Sequence, residues 1–97
     1  MPEANWSDFA REDLKGIGRY IGEEQRRSST AAKIMREIGE HCDALARVPY
    51  TGTARPDLDE NIRITSWKRW VIVFRPARNG VGILRIVDGS RDFTQLF

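Results

Sequence analysis

The chain has 97 residues, 40% hydrophobic and 31% charged, a balance that supports one domain spanning residues 1–97 and excludes a disordered chain. No stretch approaches the ~20 apolar residues that cross a bilayer, and the lone Cys42 excludes an intrachain disulfide and a cysteine-based metal site. The net charge of +2 conceals an asymmetry: from Arg63 to Phe97 seven basic residues stand against Asp88 and Asp92, while the earlier part holds nine basic and twelve acidic residues, so the carboxy-terminal third favours an acidic partner, nucleic acid or protein.

The opening Met-Pro-Glu-Ala-Asn lacks the basic-then-apolar layout of a signal peptide, which points to the cytoplasm. Glu3 to Trp6 can add an edge strand. Ser7 and Asp8 open a first helix, since either side chain can accept from the free amides of the first turn, and Ala10, Leu14, Ile17 and Ile21 recur at helical spacing. Gly16, Gly18 and Gly22 each cost up to about 1 kcal/mol against alanine in a helix. Close approach of a second helix is one compensation; packing of an intrinsically weak helix is the other.

A polar connector from Gln25 to Thr30 leads into a second helix carrying Ala31, Ile34, Ile38, Cys42 and Leu45 on one stripe, with Cys42 an inert buried thiol. So short a link predicts an antiparallel helical hairpin. Pro49 ends the second helix, and a loop through Gly52, Ala54 and Pro56 reaches acidic Asp57, Asp59 and Glu60. From Asn61 the period becomes two. Ile62 and Ile64 mark one strand, and Arg69–Arg75 a second with Trp70, Ile72 and Phe74 on one face and Val71 and Val73 on the other. That strand is therefore expected to be covered on both sides. Asn79-Gly80 signals a hairpin into a third strand, Val81–Val87, with Ile83, Arg85 and Val87 on one face. Phe93, Leu96 and Phe97 make the tail apolar enough to fold back onto the sheet. The predicted class is α+β: a helical hairpin packed on a small antiparallel sheet of three to four strands in meander order.

These segments, in order, resemble the ParE/RelE superfamily of toxins, and the ParE-like branch most of all. The resemblance rests on Ala10-Arg11-Glu12-Asp13-Leu14-Lys15-Gly16-Ile17 followed by Tyr20-Ile21, and on Leu45-Ala46-Arg47-Val48-Pro49 with Gly52 after it. It continues through Arg63-Ile64-Thr65-Ser66 and Trp70-Val71-Ile72-Val73-Phe74-Arg75. The strongest piece is Ile83-Leu84-Arg85-Ile86-Val87-Asp88-Gly89-Ser90-Arg91-Asp92, similar to the family's Leu-Arg-Val-x-His-Gly-x-Arg-Asp. Asp88 stands where the family usually has histidine.

The superfamily resemblance implies two activities. RelE-like members cut messenger RNA at the ribosome, and ParE-like members poison DNA gyrase by stabilising its cleavage complex. RNA cutting needs a base for the 2′-hydroxyl, an acid for the leaving group and cations for the phosphorane. The one histidine, His41, sits beside the buried stripe of the second helix, and Tyr20 and Tyr50 lie outside the carboxy-terminal strands. Asp88 and Glu60 remain as candidate bases, but the proton-transfer set is incomplete, which favours the gyrase-binding branch and no catalytic residue. A degenerate, non-toxic binding module is a further alternative.

The resemblance implies target contacts in the basic carboxy-terminal region, at Arg63, Trp67, Lys68, Arg69, Arg85, Arg91 and Phe97. From the residues alone, Arg85 reads as a structural arginine paired with Asp92 or Asp13 at least as well as a contact, and Trp70 as core. The resemblance also implies a cognate ParD-like antitoxin that forms a hetero-oligomer with the chain, over Ile17, Tyr20, Ile21, Met35 and Trp70 and an exposed sheet edge. It further implies a role in plasmid stabilization, with DNA recognition left to the antitoxin rather than to this chain, and no cofactor, metal or membrane.

Overall fold

A computed structural model describes residues 1–90, so the expectations placed on Arg91, Asp92, Phe93, Leu96 and Phe97 lie outside the described residues. In chain order the elements are β1 (Glu3–Trp6), α1 (Asp8–Arg19), a π-helical turn (Tyr20–Glu24), α2 (Ser28–Leu45), β2 (Thr53–Ala54), β3 (Arg63–Trp67), β4 (Trp70–Ala77) and β5 (Gly80–Asp88). Ser7 caps α1 as its position suggests: its Oγ accepts the Ala10 amide at 3.0 Å. The same hydroxyl donates to the Leu84 carbonyl at 2.9 Å, so the cap also fastens α1 to β5.

The sheet has five strands in the order β1-β5-β4-β3-β2. Two parts of the expected architecture need correction. The sheet is mixed rather than antiparallel, because β1 lies parallel to β5, with Glu3 opposite Gly80 and Trp6 opposite Ile83. It also has one strand more than expected. β2 is only two residues long and too short for an alternating pattern, and it forms because Thr53 and Ala54 pair with Ile64 and Arg63. The antiparallel meander from β3 to β5 is as expected, and β2 extends it by one strand.

β4 is buried on both sides. Trp70, Ile72 and Phe74 join Ile34, Ile38, Cys42 and Leu45 in the main core under the helices. Val71 and Val73 join Leu58, Ile62 and Val87 in a second cluster on the opposite side. The acidic loop after Pro56 thus contributes two apolar residues that cover the far side of the sheet.

β5 does not alternate as a regular strand would. Val73 pairs with Arg85 and Phe74 with Ile83, leaving Leu84 as an extra residue in a bulge. Ile83 and Ile86 consequently both face the helices, whereas Val87 belongs to the opposite cluster. This overturns the expectation that Ile83, Arg85 and Val87 share a face. The β4–β5 hairpin forms where Asn79-Gly80 points, but Ala77 pairs with Gly80, so Arg78 and Asn79 are the turn residues.

Helix–helix proximity explains two of the three glycines in the first helical segment. A β-carbon on Gly18 would run into the Met35 sulfur, and one on Gly22 would touch the Ala31 methyl at 3.4 Å. Gly16 would meet only the tip of Arg19 at 4.0 Å. Gly16→Ala is therefore expected to stabilise the fold by about 0.5–1 kcal/mol, the propensity difference alone. Gly18→Ala should gain less, because Met35 must move; thermal unfolding of the two variants side by side checks both.

Cys42 is fully buried, and burial, with the Asp43 charge adding to it, pushes its thiol from 9.0 up to about 12. The folded chain holds this proton longer than the unfolded chain does, so the group costs nothing below pH 9.0 and destabilises progressively as pH rises from there towards about 12. In native protein near pH 8 a thiol reagent should leave Cys42 unmodified, and it should react on unfolding.

Candidate functional site

The β3–β4 hairpin ends in a four-residue tip, Trp67-Lys68-Arg69-Trp70, in which the two tryptophans are cross-strand partners. Their rings stack with centroids 6.0 Å apart and planes inclined by 15°. Trp70 is buried in the main core and Trp67 packs half-buried against it, so the tip stands on an aromatic base. Lys68 takes φ 54°, a left-handed conformation unusual for a side-chain-bearing residue.

Several contacts hold this tip. Lys68 Nζ lies 4.8 Å from the Trp67 ring centroid and 3.7 Å from Glu37 Oε2 on α2. The Arg69 guanidinium lies over Trp70 at 5.8 Å and donates to the Asp88 carboxylate at the end of β5. The Gly89 amide donates to the Arg69 carbonyl at 2.8 Å. Asp88 also accepts the Ser90 amide at 2.9 Å and the Ser90 hydroxyl at 2.7 Å. The Ser90 amide first, then Arg69 and the Ser90 hydroxyl, hold the Asp88 carboxyl far below the usual carboxylate range. Among the residues expected to contact a target, the structure thus brings Trp67, Lys68 and Arg69 together.

Arg85 is placed elsewhere and differently occupied. Its Nε and one terminal nitrogen donate to the two oxygens of Asp13 at 2.8 and 2.9 Å, a bidentate pair between β5 and α1. The β5 bulge leaves the Ile86 amide directed at the same carboxylate, which accepts it at 2.9 Å. The Phe9 ring covers the guanidinium at 5.5 Å. Asp13 is the pairing partner that Arg85 takes, and this joint ties the α1 segment to the β5 segment. Arg63 is likewise engaged, donating to the Thr51 carbonyl at 2.8 Å and the Gly52 carbonyl at 3.2 Å, and so pinning the loop before β2.

The residues expected to meet an antitoxin divide by exposure. Tyr20 is exposed, Ile17 and Met35 are half-buried, and Ile21 and Trp70 are buried in the main core. Sequence reasoning did not single out Glu37, the carboxylate that reaches Lys68. Its spacing from Lys33 makes it look like one end of an ordinary exposed i,i+4 pair on a helix, and that pair is indeed present at 4.0 Å.

Among the described residues, the side chains weighed for proton transfer stand on separate segments. His41 is half-buried on α2, while Tyr20 and Tyr50 stand at exposed positions on separate segments. Asp88, ionised so persistently, is a weak base. Among the described residues, no group of three or more His, Cys, Asp or Glu is placed to hold a metal ion, and no helix is long and apolar enough to cross a membrane.

Comparison with known proteins agrees with this architecture. No protein of curated function matches the sequence significantly. A solved structure described as the chromosomal ParDE TA system from P. aeruginosa superposes with a TM-score of 0.72 at 25% identity, covering 91% of this chain and 96% of that one. The family described as the ParE toxin of type II toxin–antitoxin system, parDE, matches residues 4–93, a span that runs from β1 through both helices and the β3–β4 tip to beyond the end of β5. The chain belongs to the ParE toxin family of type II toxin–antitoxin systems.

Proposed function

We propose that this toxin acts by binding DNA gyrase and stabilising its cleavage complex, and that a cognate ParD-like antitoxin neutralises it. The observation that carries the choice of binding over RNA cutting is the state of Asp88. It occupies the position where the family usually has histidine, yet the Ser90 amide, Arg69 and the Ser90 hydroxyl hold its carboxyl far below the usual carboxylate range, which makes it a weak base. Arg63 and Arg85 have their guanidinium groups committed to backbone carbonyls and to Asp13. In this reading the target meets the Trp67–Trp70 tip, with Arg91 and Phe97 contributing from the segment that follows, while Arg63 and Arg85 hold the fold. The antitoxin meets Tyr20, Ile17 and Met35 on the helical hairpin and satisfies a free sheet edge by strand addition.

The runner-up is ribosome-dependent RNA cleavage. It has one observation of its own: Tyr50, Asn61 and Arg63 line a common shallow hollow, where a phenol and a cation could meet a phosphate. Induced expression in growing cells separates the two readings. The gyrase reading predicts growth arrest with accumulating DNA strand breaks while labelled amino acids are still incorporated, and relief by co-expression of the cognate antitoxin. An immediate stop in protein synthesis with intact DNA would instead establish the ribonuclease.

A further inference from the structure

Three described residues other than glycine have positive φ, Arg26, Asn61 and Lys68, and the last sits where the proposed contacts are. Lys68, at φ 54°, forms half of a two-residue turn between paired tryptophans. Strain of this kind persists only where the surroundings over-determine the conformation. The surroundings here come from two other parts of the chain, α2 and the end of β5. Glu37 on α2 reaches the Lys68 ammonium, Asp88 at the end of β5 takes the Arg69 guanidinium, and Gly89 donates its amide to the Arg69 carbonyl. A β-carbon on Gly89 would lie 3.1 Å from that same carbonyl oxygen, so the approach is close.

The cations remain available despite these ties. The Lys68 and Arg69 side chains are 57% and 56% exposed, while Glu37 and Asp88 are 28% and 25% exposed. The carboxylates thus lie beneath and the cations outward, each cation also seated on a tryptophan ring. An exposed ion pair contributes little to stability in itself. Two such pairs converging on one strained turn instead hold long, flexible side chains in one geometry, which lowers the entropy lost when a partner binds them.

We propose that Glu37 and Asp88 are positioning residues that preorganise Lys68 and Arg69 at the hairpin tip for contact with an anionic surface of the target. The inference rests on the gyrase reading for the identity of that target. It assigns to Asp88 a charged acceptor role towards Arg69 that the histidine usual at this position would fill only as a neutral imidazole and without the charge, and a role to α2 in target binding.

The test uses the full chain as wild type, Glu37→Gln, Asp88→Asn and Asp88→Glu. Three quantities are measured: inhibition of purified gyrase, Tm, and the near-ultraviolet circular dichroism of the stacked Trp67–Trp70 pair. Glu37→Gln and Asp88→Asn are each expected to weaken inhibition about tenfold, the effect of a moderate interface contact. Their Tm should stay within about 5 °C of wild type, and the tryptophan signal should diminish. Asp88→Glu, which keeps a carboxylate within reach of Arg69, should recover most of the inhibition. Unchanged inhibition in both amide variants, or losses that only follow the fraction unfolded, would overturn the proposal. If wild-type protein leaves gyrase untouched, the gyrase reading itself fails. The tryptophan signal then decides the positioning role, and an unchanged signal in both variants overturns it.

Discussion

Asp13→Ala is expected to lower the unfolding free energy by about 2–4 kcal/mol, because it removes the acceptor of several hydrogen bonds at once and leaves a half-buried guanidinium unpaired. Asp13 accepts Nε and a terminal nitrogen of Arg85 and the Ile86 amide, at 2.8–2.9 Å. Its side chain is 16% exposed and that of Arg85 23%, so water replaces these bonds incompletely. In a domain of this size the change corresponds to a fall in Tm of at least about 10 °C. Arg85→Ala should cost less than Asp13→Ala, since the Ile86 amide keeps its acceptor. Arg85→Lys should recover little, because an ammonium cannot reproduce the two parallel bonds. A Tm for Asp13→Ala within about 3 °C of wild type would show that the joint between α1 and β5 is ornamental. The comparison also separates stability from toxicity at Arg85, since any loss of potency must first be corrected for lost fold.

Gly80→Ala is the second large effect, and it acts on β1. Gly80 has φ 131°, and a β-carbon there would overlap the Glu3 carbonyl oxygen and lie 2.7 and 2.8 Å from the Glu3 nitrogen and carbonyl carbon. These are backbone atoms of the paired strand, so no side-chain rotation relieves the contact. The backbone strain alone is worth on the order of 1–3 kcal/mol. Relieving it means moving β1 away from β5 and loosening Ala4 and Trp6 from the core they pack against. The expected result is a loss of about 3 kcal/mol or more, with faster amide hydrogen exchange in β1 and at Ser7. Exchange confined to the Arg78–Asn79 turn, with β1 as protected as in wild type, would contradict this.

Both effects mark where the sequence was legible and where it was not. The helices, β4 with its two apolar faces, and the second hairpin could be read from periodicity and turn residues. Those signals report burial and local backbone geometry, which determine these elements. β1 announced itself only as a possible edge strand, and its parallel pairing depends on residues nearly eighty positions away. The bulge at Leu84 was hidden because apolar residues fall on both faces of the run from Val81 to Val87, so a slip of one residue leaves the apolar pattern on each face. The spacing of Ile83 and Ile86 by three was the available clue. At the site, sequence identified the cation-and-tryptophan cluster because its residues are adjacent in the chain. It could not supply Glu37 or the turn-pinning role of Asp88, since those ties join segments remote in sequence. Charge alone also did not separate arginines at the tip from those engaged in the fold: Arg85 and Arg63 count equally with Arg69 in a tally of basic residues. Only geometry shows that Asp13 and two loop carbonyls already occupy them.

The most direct test of the central claim is a cleavage and supercoiling assay with purified gyrase, closed-circular DNA and this protein, beside a translating extract given the same dose. Gyrase poisoning predicts lost supercoiling with accumulation of covalently cleaved DNA, suppression of both by the cognate antitoxin, and unimpaired translation. Normal supercoiling with ribosome-dependent cuts in messenger RNA would contradict it.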